Sequence, residues 1–364
     1  PGVAYQARQL GLAFNAVLGV IMSLFLSLGA GTILSGVGVA DALMQPARTY
    51  LQIVGGFCIL NALIPICSSY LRAFGFSKEP LYASIIGNVI NFCLNAFFLF
   101  VLHKGVAGVA TATVISRIIN LVIVVLLGAV LVKAKQHPER ESNREVMGQI
   151  IRIGLPSACE TAIYNVSMTL VIRFLNQMDA QGLNVTARSY TMQITNFSYC
   201  VGAALAQANA IMTGWHIGAK EYDACDRGTK KAAVIGVIVA VILETVFTLC
   251  SGWIMQLFSK DPQMVSLVGK LLAIDIVLEM GRVTNLVYGQ ALKTSGDAVF
   301  PVVMGACFMI LCSVGGTYLF GIRLGLLAVG AYIGMTGDEC VRAVGMYLRW
   351  KSGKWKEKGL VKSR

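Results

Sequence analysis

Histidine is scarce in this sequence, three residues in 364, and charge is thin: Asp, Glu, Lys and Arg together make up 13% of the chain. Soluble domains carry about twice that share of charge. His103, His137 and His216 all fall near loops and far from one another, which leaves no support for a metal centre or a histidine-based catalytic set. There is no GxxxxGK[ST] stretch to cradle phosphates and no CxxC pair, so neither an ATP engine nor a cysteine ligand set is expected. The ten cysteines are dispersed from Cys58 to Cys340 and read as small apolar residues, not as a disulfide framework.

What the chain has instead is apolar length. Hydrophobic residues make up 56% of it and the mean hydropathy is +0.70, far too much apolar surface for one aqueous core. That excludes a cytosolic enzyme and a disordered chain. A helix needs roughly 20 apolar residues to cross a bilayer. Runs of that kind occupy 10–34, 49–71, 80–102, 106–132, 150–176, 186–214, 231–257, 263–292, 299–321 and 325–348. No period-two alternation runs through them, so a barrel is excluded and the reading is an all-α polytopic membrane protein of ten helices.

The net charge of +12 first suggests nucleic acid, but the positions of the charges give another reason for it. Loops on one side hold Arg8, Arg72, Lys78, Lys133, Lys135, Arg140, Arg144, Arg152, Lys220, Arg227, Lys230, Lys231, Lys293 and the basic residues from Arg349 to Arg364, whereas the opposite loops hold only Arg48, Lys104, Lys260 and Arg323. Positive loops stay in the cytoplasm. Both chain ends are therefore expected there, in a multi-pass protein of the plasma (inner) membrane with the bilayer, not nucleic acid, as partner. Trp350 and Trp355 among the tail lysines read as interfacial residues of a membrane-surface anchor.

The sequence also repeats itself. Leu71-Arg72-Ala73-Phe74-Gly75 with Pro80 recurs about 221 residues later as Leu292-Lys293-Thr294-Ser295-Gly296 with Pro301, and each copy leads into an apolar helix, a glycine-bearing loop and another helix. The offset spans an even number of segments, so the copies run parallel. The expected organisation is an N-terminal lobe over 1–132, a cytoplasmic linker over 133–149, a C-terminal lobe over 150–348 and a basic cytoplasmic tail over 349–364. The second copy begins with two helices that have no partner in the first, which reads as a twelve-helix pattern lacking its first two helices.

These residues resemble the multidrug and toxic compound extrusion (MATE) family along essentially the whole chain. The resemblance rests on Gly154-Leu155-Pro156-Ser157-Ala158-Cys159-Glu160, on Asn88, Asn91 and Asn95 followed by the run Gly105 to Thr113, on Glu279-Met280-Gly281-Arg282 leading to Leu292 through Asp297, and on Arg342 to Trp350 with Gly353-Lys354-Trp355. It implies a twelve-helix fold of two lobes and a cation-coupled exporter of organic cations, driven by protons or sodium. It also implies a coupling carboxylate at Glu160, on the first helix of the second lobe. A second carboxylate usual on the tenth helix falls here at Arg282, with Glu279 one turn away as the available acid.

Ionisable groups at membrane depth are costly and need a reason. Asp275, Glu279 and Arg282 recur at i, i+4 and i+7 and share one face, with Asn285 near the same stripe. That stripe is either a cation or proton site or a buried ion pair between Glu279 and Arg282 that holds the bundle together. Glu160 has no base within a turn of its own helix, and Tyr164, Asn165 and Ser167 lie beside it; Pro156 is placed near the start of that helix. Glu244 stands alone among apolar residues. Asp338, Glu339 and Arg342 read as a clamp within or between helices, and Arg117 as the partner of an acid across the bundle. On the helix over 186–214, Tyr190, Gln193, Asn196, Phe197, Tyr199, Gln207 and Asn209 suit a chamber for flat cations, and suit interhelical hydrogen bonds equally. Asn184-Val185-Thr186 is a glycosylation sequon in an expected external loop.

The cation-coupling residues expected are thus Glu160, Asp275, Glu279 and Arg282, and the substrate cavity is expected to include Tyr164, Asn165, Gln193, Asn196, Tyr199 and Asn285. The function expected is secondary active antiport by a monomer, with no cofactor beyond a coupling proton or sodium ion. A flippase for lipid-linked precursors, which would call for a cationic cleft, and an incomplete non-transporting scaffold are the alternatives. An intramembrane enzyme would need a nucleophile with its base or a metal set, and neither is seen.

Overall fold

The computed structural model describes residues 2–37, 41–132, 142–179 and 182–358, and among these every regular element is helical. The first compact unit, up to Ile150, holds α1 (Gly2–Leu28), α2 (Ala30–Val37), α3 (Asp41–Gly56), α4 (Ile59–Ala73), α5 (Lys78–Ala96) and α6 (Gly105–Leu131). The second, from Ile151, holds nearly all of α7 (Asn143–Met178), then α8 (Leu183–Gly218), α9 (Tyr222–Leu249), α10 (Ser251–Met255), α11 (Pro262–Thr294), α12 (Val299–Phe308) and α13 (Leu327–Lys351). Of the expected linker, 133–141 lies outside the described residues, as does 359–364 of the tail. α7 begins already at Asn143. Pro156 is therefore an interior residue of α7, not a first-turn one.

Five helices are long and apolar enough to cross a membrane, and a sixth span is made if α3 and α4, bent by 41° at their junction, are taken together. The expected ten are not reached by length and apolarity alone. α7, α8, α11 and α13 have 36, 36, 33 and 25 residues, ample length, but they carry the acids, amides and arginines. Polar side chains that face a protein interior lower a helix's mean hydropathy without removing it from the membrane. The outer faces stay apolar: Phe92, Phe100 and Val130 in the first unit and Trp253, Leu257 and Leu311 in the second are strongly exposed, as lipid-facing residues would be.

The repeat is visible in backbone detail. α4 and α11 both end in a left-handed glycine, Gly75 at φ +88° and Gly296 at φ +92°. The next residue closes the helix in both copies, Phe76 N donating to Leu71 O at 3.0 Å and Asp297 N to Leu292 O at 2.9 Å. This is a Schellman cap, which needs a residue without a Cβ penalty at that position. The following helices also end alike. α5 runs on as a π-helical segment over 97–101 and α12 as π-helical segments reaching Arg323. Each then turns through two residues of positive φ, His103 and Gly105 in one copy, Gly325 and Leu327 in the other. Glycine relieves one of the two positions in each copy, and a different one.

In the second unit α11 is the central helix, packed against α8, α9 and α13. Asp261 caps it, accepting from Gln263 N at 3.0 Å, with Pro262 in the first turn. Val268, Leu271, Leu272, Leu278, Val283 and Leu292 along it are fully buried.

Two expectations are corrected here. Trp350 and Trp355 are not interfacial: both are buried, their rings stacked at 4.1 Å, and their indole N–H groups donate to Asp226 Oδ1 at 2.9 Å and Trp350 O at 3.0 Å. The sequon is not available either, because Asn184 is 2% exposed and its side chain is engaged at both ends. Asn184 Oδ1 accepts from Ala328 N at 3.0 Å and its Nδ2 donates to Asp179. Asp179 also accepts from the backbone N–H groups of Leu183 at 2.9 Å and Asn184 at 3.0 Å, so it caps α8 from the preceding loop. Burial pushes the Asp179 carboxyl up, but the hydrogen bonds from Asn184, Leu183 and Gly182 outweigh it and hold the group below its ordinary value.

Candidate functional site

The polar face of α11 turns inward. Asp275 and Glu279 are 2% and 0% exposed and Asn285 is buried beside them. One residue from Arg282, Gly281 lets α13 come close: a Cβ on it would sit 2.9 Å from Cys340 N and 3.0 Å from the Glu339 carbonyl carbon. That approach sets Glu339 against the α11 stripe. Arg282 pairs with Glu279 through Nη1 and lies 3.5 Å from Glu339 Oε1 through Nε. Asn285 Nδ2 donates to Glu339 Oε2 at 3.0 Å.

The network continues along α13. Arg342 meets Glu339 Oε1 at 3.0 Å and grips Asp338 with two bonds of 2.8 and 2.9 Å. Ser313, from the π-helical part of α12, donates to Asp338 Oδ2 at 2.9 Å. The sequence pairs Glu279 with Arg282 and Asp338 with Arg342; the structure joins both pairs through Glu339.

Charge does not balance in this network. Asp275, Glu279, Asp338 and Glu339 outnumber the paired bases Arg282 and Arg342 even when Arg188, on the smaller cavity, is added, and Asp275 Oδ2 and Glu279 Oε2 are buried with no hydrogen-bond partner. Glu244 on α9 adds to the excess. It is 0% exposed, both its oxygens are unpartnered, and its polar surroundings include the equally unsatisfied hydroxyl of Ser198 together with Asp275, Glu279 and Arg282. An isolated carboxylate is too costly to hold charged in such a place. The surplus calls for bound protons or cations.

Glu160 sits apart from that network. The expectation that nothing in its own helix pins it holds, but Lys293 from α11 does: its Nζ lies 2.6 Å from Glu160 Oε2, and both side chains are largely buried. Lys293, counted among loop charges in the sequence, belongs to the last turn of α11. Its place in the repeated Leu-basic motif was the one signal that singled it out. Arg117 makes no ion pair among the described residues, contrary to the partner expected for it.

Two cavities open beside these groups, and Glu279 and Glu244 line neither of them. The larger, about 540 Å³, is lined by Glu160, Asn165, Asn285, Lys293 and Arg342 among others; the smaller, about 230 Å³, by Arg188, Asn196, Asp275, Tyr332 and Asp338 among others. Tyr164, Tyr199, Arg282 and Glu339 line both, and Arg282 lies 6.0 Å from the centre of the Tyr199 ring. Of the expected substrate residues, Tyr164, Asn165, Asn196, Tyr199 and Asn285 are thus brought together. Gln193 is exposed and lines neither cavity. Arg188 and Tyr332 were not anticipated, since nothing in the spacing of either points into a cavity.

Comparisons with known proteins agree with this architecture. The MatE family model matches residues 1–97 and 156–319. The chain is 32% identical to the "Uncharacterized transporter YisQ" of Bacillus subtilis (strain 168), over 98% of this chain and 80% of that protein. It is 22% identical to the "Probable multidrug resistance protein YoeA" of the same organism, over 96% of this chain and 77% of the relative. Among solved structures it is similar in fold to the eukaryotic MATE transporter AtDTX14, with a TM-score of 0.86 at 18% identity, covering 97% of this chain and 79% of that one.

Proposed function

The chain belongs to the MatE family of multidrug and toxic compound efflux transporters, and on that premise we propose that it is a secondary active antiporter exporting small organic cations in exchange for protons or sodium. The observation that carries the proposal is the surplus of buried carboxylates on α9, α11 and α13, of which Asp275, Asp338 and Glu339 line two cavities while Glu279 and Glu244 lie behind the lining. A buried carboxylate that must be neutralised binds either the coupling ion or a cationic substrate, and competition between them is what antiport requires. Asp275 and Glu279 are the coupling acids in this reading, Arg282 holds Glu279 and Glu339 in place, and Glu160 exchanges its Lys293 partner for the ion or substrate. Tyr164 and Tyr199 give a cation aromatic faces to rest on.

Transport would proceed by alternating access of two helical lobes, in a monomer of the plasma membrane with both ends in the cytoplasm and no cofactor beyond the coupling ion. A flippase for lipid-linked precursors is less well supported, because Arg282, Lys293 and Arg342 at the larger cavity are each already paired with an acid. The test is expression in a bacterial host lacking its own efflux pumps. Resistance to cationic dyes should rise with the wild type and stay at the empty-vector level with Glu279→Gln. Unchanged dye resistance with wild-type protein present in the membrane would sink the proposal.

A further inference from the structure

The smaller cavity has a property that a site for plain cations would not need. Arg188, near the start of α8, is 7% exposed. Its polar contact among the described residues is the Met168 sulfur, 3.7 Å from Nη2, and its Nε has no partner. A guanidinium stays charged at any relevant pH and a thioether is a weak acceptor, so a buried guanidinium left in this state lacks an anion. Asp275 lines the same cavity, 2% exposed, with Oδ2 unpartnered and no ion pair or hydrogen bond among the described residues.

The other charged groups on this cavity are satisfied. Arg282 is held by Glu279 and Glu339, Asp338 by Arg342 and Ser313, and Glu339 by Arg342 and Asn285. What remains is one unmatched positive group and one unmatched negative group facing a single space. Three tyrosines, Tyr164, Tyr199 and Tyr332, and the thioethers of Met168, Met192 and Met335 form much of the rest of the wall, with Thr195, Asn196, Leu278 and Ser313.

We propose that this cavity binds a small aromatic zwitterion, its carboxylate on Arg188 and its ammonium on Asp275. The proposal rests on the exporter reading and names the ligand class for one of its cavities. A plain cation would neutralise Asp275 but leave Arg188 unpaired and repelled, and a plain anion would do the reverse. A zwitterion pairs both groups at once, and its ring takes the tyrosine and methionine wall. At about 230 Å³ the space is below the usual range for drug-sized ligands, roughly 300 Å³ upward, which points to a molecule of amino-acid size.

One skeleton in three charge states tests this. Phenylalanine, its methyl ester and N-acetylphenylalanine are titrated calorimetrically into the purified protein in detergent at neutral pH. The zwitterion should bind at least about tenfold more tightly than either derivative, each of which lacks one charge-assisted contact. Arg188→Gln should erase the preference over the ester while leaving ester binding in place, and Asp275→Asn should erase the preference over the N-acetyl form. If either variant fails to fold, the three-probe comparison on the wild type decides alone. Equal or tighter binding of the ester, no binding by any of the three, or a preference unchanged by Arg188→Gln overturns the proposal. Efflux of a permanently cationic dye is measured alongside: dye export without zwitterion preference removes this inference alone, and zwitterion preference without dye export removes the organic-cation reading alone.

Discussion

The ammonium of Lys293, in the last turn of α11, lies 2.6 Å from Glu160 Oε2 on α7, so the acid that stands alone in its own helix is held by a base from another. A carboxylate in this position is released only when something replaces the lysine. The proposed exchange of that lysine for ion or substrate would make the pair a switch as well as a packing contact.

Glu160→Gln is expected to abolish drug-resistance export without preventing membrane insertion. Normal efflux in that variant would remove Glu160 from the coupling site. The pair itself is read by a double-mutant cycle on melting temperature in detergent. Lys293→Gln alone should cost about 2 kcal/mol, since it strands a largely buried carboxylate, and adding Glu160→Gln should recover most of that. Additive losses would mean that the two do not interact.

The second acid set separates transport from packing. Asp275→Asn and Glu279→Gln are expected to lose pH- or sodium-dependent transport, Asp275 with the smaller loss of stability because it pairs with nothing among the described residues. Glu244→Gln should weaken coupling in the same assay, its unpartnered oxygens belonging to the same buried surplus. Coupling retained in all three variants, with melting temperature lowered, would assign these acids to structure alone.

Gly281 fixes the distance between α11 and α13. Gly281→Ala places a methyl against the Cys340 and Glu339 backbone, which yields less than a flexible side chain, and should cost about 1–3 kcal/mol. Gly337→Ala is the control. It lies in α13 with nothing near its missing Cβ, and should be neutral or stabilising by up to about 1 kcal/mol from helix propensity. Equal melting temperatures for the two variants would refute the close approach.

The α8 cap predicts a pH signature. The Asp179 carboxyl lies below its ordinary value in the folded protein, so it adds stability above its unfolded value, about 3.9, and that stability is lost as pH falls through the lower folded value. Asp179→Asn should therefore melt earlier than wild type at pH 7, and the two curves should converge as the pH drops below about 4. Curves that stay parallel down to that range would mean that Asp179 does not cap α8 as a carboxylate.

Much of the fold was legible because hydrocarbon imposes simple rules. Apolar runs, the α11 stripe at Asp275, Glu279 and Arg282, and the repeat ending in Gly75 and Gly296 follow from local spacing; the backbone carries the stripe on one continuous helix and repeats the left-handed glycine, while five or six of the ten expected spans meet the length and apolarity of a crossing helix. Contacts made between helices were not legible. Lys293 looked like a loop charge, Trp350 interfacial and Asn184 accessible, because each acquires its partner from a distant segment, Glu160, Asp226 and Ala328, and Trp355 is buried by stacking on Trp350. Arg188 is illegible for the opposite reason, since what marks it is the absence of an acid beside a buried guanidinium.

If the buried surplus of carboxylates couples export to an inward ion gradient, dye movement must follow that gradient and depend on Glu279. Vesicles carrying the wild type and Glu279→Gln are loaded with a cationic dye, and proton and sodium gradients are imposed separately. Dye movement should be driven by one of the two gradients in the wild type and by neither in the variant. Dye movement indifferent to both gradients, or equally coupled in the variant, would contradict that coupling.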